Sequence, residues 1–215
     1  YIPIGHKSNK CIEKDLVLKK LKPLLEDPSI KKIGQNIKFD FIVFFKHGIN
    51  MTSMEDTMLM SYVLDAGKNR HNMDTLSEIH LNHKTISFKD LVGTGKKEIN
   101  FSEVDVEKAK DYAAEDADIT FRLYKKFQKS LKDEKMINIY EIFEKPLLKI
   151  LAFMEIEGVK IDNKFLKSLS TKFEKKIIKI QNEVFKISKK EFNIASPKQL
   201  GEILYNDLKI ADLKK

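Results

Sequence analysis

The feature that most constrains the fold of this chain is a change of hydrophobic pattern near Asp133. Before it, short apolar runs at residues 1–4 and 30–33 predict strands, and amphipathic stretches between and after them predict helices. After it, no strand signal remains. Strands that alternate with helices are typical of α/β layers. The sequence therefore predicts an α/β domain over residues 1–133 and a helical segment over residues 134–215.

The first segment has several helix patterns with recognisable ends. Asn36 stands at a capping position and Gly48 at a position typical of a helix C-terminus, which predicts a helix over 37–47. The other helices are predicted at 15–25, 55–64, 74–81 and 105–131.

The second segment has the pattern of long helices. One is predicted over 136–157, interrupted by Pro146 and closed by Gly158, and another of about four heptads begins after Asp162. The apolar seam of the longer helix is Leu166, Leu169, Phe173, Ile177, Ile180, Val184 and Ile187. Ser196-Pro197 has the cap and first-turn pair that opens a last helix.

Composition says more about the cellular compartment of the protein than about its function. The single cysteine, Cys11, excludes an internal disulfide and cysteine-rich zinc sites, which favours the reducing cytoplasm. No apolar run is long enough to cross a bilayer, and residues 1–5 lack the pattern of a signal peptide, so we expect no membrane association. The net charge of +8 comes almost wholly from lysine, and this favours a solvated surface over a dedicated DNA groove.

Asp40 is the first candidate for chemistry. It lies one turn into a predicted helix that is otherwise rich in phenylalanine, isoleucine and valine. A carboxylate in such surroundings is costly unless it is paired, exposed or bound to a metal. A position on the exposed side of the helix explains it equally well.

Tyr112 and Asp116 form the second candidate. They are four residues apart on one predicted helix, so they share a face, and Asp116 falls within the apolar stripe of that helix. Acids near a helix start also stabilise the helix dipole, which is the simpler explanation. Arg70, one of only two arginines, is suited to clamp a phosphate or to form an ordinary ion pair in a loop.

Together these residues suggest one hypothesis among several, which is the hydrolysis of phosphodiester bonds with the help of metal ions. That chemistry uses carboxylates that hold two Mg²⁺ ions about 4 Å apart and an oriented water. Two acids are too few for both ions.

An ordered set of motifs resembles the DNA polymerase I family of bacteria (family A). Residues 34–40 (GQNIKFD) resemble its second exonuclease motif and residues 112–118 (YAAEDAD) its third. The remaining segments that resemble the family, in the same order, are 56–59, 70–76, 83–88, 143–147, 157–162 and 192–200. The resemblance covers essentially the whole chain.

The resemblance implies a ribonuclease-H-like 3′→5′ exonuclease domain that leads into the base of the polymerase thumb. It implies that Asp116 and Asp40 bind Mg²⁺ or Mn²⁺, and that Tyr112 orients the attacking water. The residues implied to contact a frayed single-stranded 3′ end of DNA are Gln35, Asn36, Arg70 and Phe88. The thumb base would grip duplex DNA by its backbone, and we expect a monomer.

One departure from the family concerns its first motif, an Asp-x-Glu on an opening strand that would precede Tyr1. Without this pair and without the palm, the chain is expected to be inactive alone. Two alternatives stay open: a non-catalytic DNA-binding or structural module of a polymerase, and a 3′ exonuclease that trims RNA. The polymerase-like segment 143–200 argues against the second alternative.

Overall fold

The computed structural model describes residues 1–7 and 11–210, with the side chain of Lys96 left out. In this part the chain is mostly helical and contains a small parallel sheet of two strands, β1 and β2. It divides into two compact units, Tyr1–Gly158 and Val159–Lys215. None of the described helices is long and apolar enough to span a membrane.

The elements of the first unit follow the order α-β-α-β and then helices. They are α1 (Lys14–Glu26), β1 (Lys32–Gly34), α2 (Ile37–Lys46), β2 (Met54–Asp56), α3 (Thr57–Asp65), α4 (Met73–Leu81), α5 (Phe88–Val92), α6 (Val106–Asp133), α7 (Ile137–Ile139) and α8 (Lys145–Glu157). Short 3₁₀ turns lie at Gly95–Lys97 and Phe101–Glu103, and a π-helical turn lies at Tyr140–Glu144. The other predicted helices are present with ends that differ by one or two residues, but the helix predicted over 136–157 is divided into α7, the π-helical turn and α8. Pro146 lies in the first turn of α8, so the interruption comes before it.

The strands are where the sequence prediction was least accurate. Residues 1–4, predicted as a strand, are not one, because a strand needs a hydrogen-bonded neighbour. Instead the Ile12 N–H bonds to the Pro3 carbonyl, and the Lys7 N–H bonds to the Ser102 carbonyl (2.8 Å each). The strand β2 was missed, since its first residues continue into the helix pattern that follows.

Of three apolar clusters in the described part of the first unit, the two larger ones contain most of its core. In one, the inner face of α6 packs on α3 and α4, with Leu76, Leu123 and Tyr140 fully buried. In the other, Phe41 of α2 packs with Leu148 and other residues of α8. The compact unit therefore continues past Asp133, where the boundary was predicted, to the end of α8.

The second unit is built around α9 (Asn163–Ser188), followed by α10 (Pro197–Gly201) and a π-helical turn at Glu202–Asp207. Asp162 and Ser196 accept backbone N–H groups at the starts of α9 and α10, as the sequence predicts. Most of the heptad seam of α9 is exposed: Phe173 is 56% and Ile177 is 62% accessible. The seam is therefore not buried within this unit.

Candidate active site

A cleft of about 480 Å³ brings together three of the predicted site residues. Gln35, Asp40 and Asp116 all line it, although Asp40 is on α2 and Asp116 on α6. The cleft is completed by residues for which the sequence carried no functional signal, namely Lys31, Ile33, Met73, Ala117, Thr120 and Phe121.

Gln35 and Asp40 reach the cleft because the chain turns sharply between β1 and α2. A Cβ atom at Gly34 would lie 2.8 Å from Cγ1 of Ile37, so only glycine allows this close approach. Asn36 follows in the left-handed conformation with φ 58°, which asparagine tolerates. Gln35 is then held on both ends of its amide: Nε2 donates to the His71 carbonyl (2.7 Å), and Oε1 lies 2.5 Å from the Thr57 hydroxyl.

The Asn36 side chain does not cap α2, contrary to the sequence prediction. The carboxylate of Asp56, at the end of β2, accepts the backbone N–H groups of Asn36 and Ile37 instead (3.0 Å each). Asn36 lines a separate, mostly apolar pocket of about 220 Å³ together with Asp56 and Leu148. Its predicted contact with a DNA 3′ end stays a prediction.

Asp116 is the most unusual group in the cleft. Its Oδ1 atom is buried and has no hydrogen-bond partner within the described part of the chain. Burial raises the pKa of this carboxyl, and the nearby acids Asp74 and Glu115 raise it further, against the lowering effect of a hydrogen bond from the Tyr112 hydroxyl. Asp40 is an exposed residue of α2, and partial loss of surrounding water raises its pKa.

Tyr112 lies one turn before Asp116 on α6, close enough for its hydroxyl and the Asp116 carboxyl to shift each other's pKa. Burial, followed by the charge of Asp116, raises the pKa of Tyr112 well above its ordinary value, so this hydroxyl stays protonated at neutral pH. The helix buries Ile119 and Leu123 on its inner face and presents Asp116 to the cleft, whereas Tyr112 is not among the residues that line it.

Phe88 lies beside Tyr112, whereas neither Phe88 nor Arg70 is among the residues that line the cleft. Phe88 is 47% exposed, and its ring stacks on Phe101 (centroids 5.9 Å apart, 20° between planes) and lies 6.1 Å from the Tyr112 ring. Phe101 was not predicted. Arg70 is exposed and directly precedes His71, whose carbonyl holds Gln35.

The donors present fit part of a site for a hard divalent cation. Carboxylate oxygens are the ligands that Mg²⁺ prefers, and the buried Asp116 oxygen, which has no partner among the described residues, has a free lone pair for one. Within the described residues, however, no group of three or more His, Cys, Asp or Glu side chains could hold a metal ion. The single Asp-x-Glu spacing in the chain, Asp105 and Glu107, lies at the start of α6, where Asp105 caps the helix.

Comparison with known proteins gives consistent matches. A family model described as 3′-5′ exonuclease matches residues 1–132. DNA polymerase I of Rhizobium leguminosarum is 40% identical over 97% of this chain, and that of Pseudomonas aeruginosa is 37% identical over 100% of it. The chain spans only 22% and 24% of the lengths of these two relatives.

Among solved structures, the POL domain of Pol1 from M. smegmatis, in complex with DNA primer-template and dNTP, is similar in fold. The match has a TM-score of 0.67 and 20% sequence identity, and it covers 97% of this chain and 33% of that one. At this level of identity the match concerns the fold alone.

Proposed function

This chain belongs to the 3′-5′ exonuclease domain family of the A-family DNA polymerases, and on that premise we propose that it contributes the proofreading site of a DNA polymerase I. The reaction is hydrolysis of the last phosphodiester bond at the 3′ end of a DNA strand. We propose that residues 1–133 belong to the exonuclease domain and residues 134–215 to the start of the polymerase domain, whose first residues, up to Gly158, pack in the same compact unit as the exonuclease residues.

The observation that carries this proposal is the convergence of Asp40 and Asp116 on one cleft, where a buried Asp116 oxygen has no partner in the part of the chain that the structure describes. An unpaired buried carboxylate oxygen costs free energy, so such a group is retained where a ligand compensates it. Burial, and then the negative charges of Asp74 and Glu115, raise the pKa of the Asp116 carboxyl, and a bound cation would offset the repulsion from these acids.

Each predicted residue has a role that its position allows. Asp116 and Asp40 would hold Mg²⁺ or Mn²⁺, which would polarise the scissile phosphate and stabilise the leaving 3′ oxygen. Tyr112, protonated at neutral pH and one turn before Asp116, would orient the attacking water. Phe88 offers an exposed ring for a terminal base, and Arg70 a cation for a phosphate.

The cleft also suggests where the missing acids belong. In the described part of the chain β1 pairs with β2 only, and Ile33 of β1 lines the cleft together with Asp116 and Asp40. We propose that a strand from upstream of Tyr1 pairs with the open edge of β1, completes a ribonuclease-H-like sheet, and places an Asp-x-Glu pair in the cleft. The chain by itself would then be inactive.

The second unit supports DNA binding in a general way. Helix α9 carries many exposed lysines, which suit contacts with phosphates and no readout of sequence. These lysines are Lys164, Lys167, Lys172, Lys175, Lys176, Lys179 and Lys186. We propose that this unit forms part of the base of the thumb that holds duplex DNA.

The test compares this chain with a version extended upstream through the missing strand. The extended protein should shorten a single-stranded oligonucleotide from its 3′ end in Mg²⁺, and Asp116→Ala should abolish this, while this chain alone should show little hydrolysis. An oligonucleotide with a blocked 3′ end is the matched control substrate. If the extended, folded protein leaves DNA intact, the non-catalytic module is the better explanation.

A further inference from the structure

A buried carboxylate outside the cleft links four backbone N–H groups. Asp56 is only 1% exposed. Its Oδ1 accepts from Asn36 (3.0 Å), Met58 (2.9 Å) and Leu59 (3.4 Å), and its Oδ2 accepts from Ile37 (3.0 Å). One side chain therefore caps the first turns of both α2 and α3.

Thr57, the residue after Asp56, contacts the same loop. The hydroxyl of Thr57, a fully buried residue, lies 3.1 Å from the Gly34 carbonyl oxygen and 2.5 Å from Oε1 of Gln35. Asp56 and Thr57 thus hold residues 34–37 along their length, from the end of β1 to the first turn of α2. Gln35 itself and Asp40, one turn further, both face the cleft.

Asp56 is in turn held by the segment that follows α6. Its own N–H donates to the Tyr140 hydroxyl (3.0 Å), and that hydroxyl donates to Oε2 of Glu55 (3.0 Å). Tyr140 is fully buried and begins the π-helical turn, and Lys145 pairs with Oε1 of Glu55 (2.7 Å). These contacts connect residues 140–145 to the loop that carries Gln35.

We propose that Asp56 is a positioning residue for the exonuclease site, which sets the place of Gln35 and Asp40 through the backbone of residues 35–37. Thr57 supports the same loop, and Tyr140 fixes the strand end from which Asp56 acts. The site therefore depends on residues that lie beyond the exonuclease match, which ends at residue 132. This inference rests on the proposed function, and two independent measurements test it.

The first measurement needs no activity. In Asp56→Asn, the single remaining oxygen can keep the three bonds made by Oδ1, while the new amide group faces the Ile37 N–H and cannot accept from it. Amide hydrogen exchange at Ile37 should then speed up by about tenfold or more, with core amides such as that of Leu76 unchanged. Asp162→Asn, which alters the exposed cap of α9, is the matched control and should leave Ile37 protected.

The second measurement uses the full-length polymerase that contains this chain. Asp56→Asn should lower the exonuclease kcat by roughly tenfold to a hundredfold while KM for single-stranded DNA changes little, since a misplaced group costs rate more than binding. Thr57→Val should act in the same direction, and Thr57→Ser, which keeps the hydroxyl, should restore the rate. This pair keeps the test informative if Asp56→Asn does not fold.

Two results would overturn the positioning role. One is faster exchange at Ile37 with an unchanged kcat, and the other is faster exchange throughout the core. If the unaltered polymerase hydrolyses no DNA, the proposed function fails, but amide hydrogen exchange still tests whether Asp56 holds residues 35–37 in place. A loss of protection confined to residues 35–37 supports it, and unchanged protection refutes it.

Discussion

Removal of one buried hydroxyl, that of Tyr140, should destabilise the first unit by an amount that the structure allows us to work out. Tyr140→Phe leaves the ring in place and deletes only the oxygen, which is the acceptor for the Asp56 N–H and the donor to Glu55 Oε2. Both partners are buried, with Asp56 at 1% and Glu55 at 4% exposure. Neither can turn to water without moving the strand.

The expected loss follows from these two unsatisfied groups. A buried donor or acceptor that is left without a partner costs about 1–3 kcal/mol, and more when it is charged. Lys145 still neutralises Glu55 through the other oxygen, which limits the charged contribution. We therefore expect the free energy of unfolding to fall by about 2–4 kcal/mol.

Urea denaturation followed by far-UV circular dichroism measures this loss, with amide exchange at Asp56 as a local second readout. Tyr124→Phe is the matched control. The Tyr124 hydroxyl accepts from Lys31 (3.3 Å) and Gln128 (3.0 Å). Since Lys31 is largely exposed, its ammonium group can turn to water, and Tyr124→Phe should lower the free energy of unfolding by less than about 1 kcal/mol. A loss for Tyr140→Phe that is no larger than that of the control would refute the argument.

Three further predictions follow from other contacts. Lys145→Ala removes the nearer of two cations from the buried Glu55 carboxylate and should cost about 1–3 kcal/mol in urea denaturation. Lys110→Ala, in an exposed pair, should cost much less, and equal losses would contradict this. Phe88→Ala should weaken binding of single-stranded DNA to the extended protein by about 1–3 kcal/mol, measured by fluorescence anisotropy, whereas the similarly exposed Phe143→Ala should not. Asp116→Asn should stabilise the chain at pH 7 by up to about 1 kcal/mol, since burial and nearby acids raise the pKa of this carboxyl in the folded state. The stability of the unaltered chain then falls as pH rises from the ordinary carboxyl range through this raised pKa. The stability gained by Asp116→Asn should therefore vanish below about pH 4. A gain that does not depend on pH would contradict the raised pKa of Asp116.

The sequence by itself determined the helices and the family. Helices α1, α2, α4, α6 and α9 begin and end near the predicted residues, because caps and apolar periodicity act within a few residues of each other along the chain. The order of short motifs identified the family, and the comparison with known proteins confirms it. The spacing of four residues was enough to place Tyr112 and Asp116 on one face of a helix.

The strands and the contacts that hold the cleft residues in place could be identified only from the tertiary structure. Residues 1–4 have the composition of a strand, but the Pro3 carbonyl accepts the Ile12 N–H and no strand forms. Strand formation depends on a neighbouring strand that the local pattern does not reveal. The cap of α2 shows the same limit. Asn36 stands at the capping position, yet Asp56, twenty residues later, makes the bonds, since the parallel pairing of β1 and β2 brings its carboxylate to both helix starts.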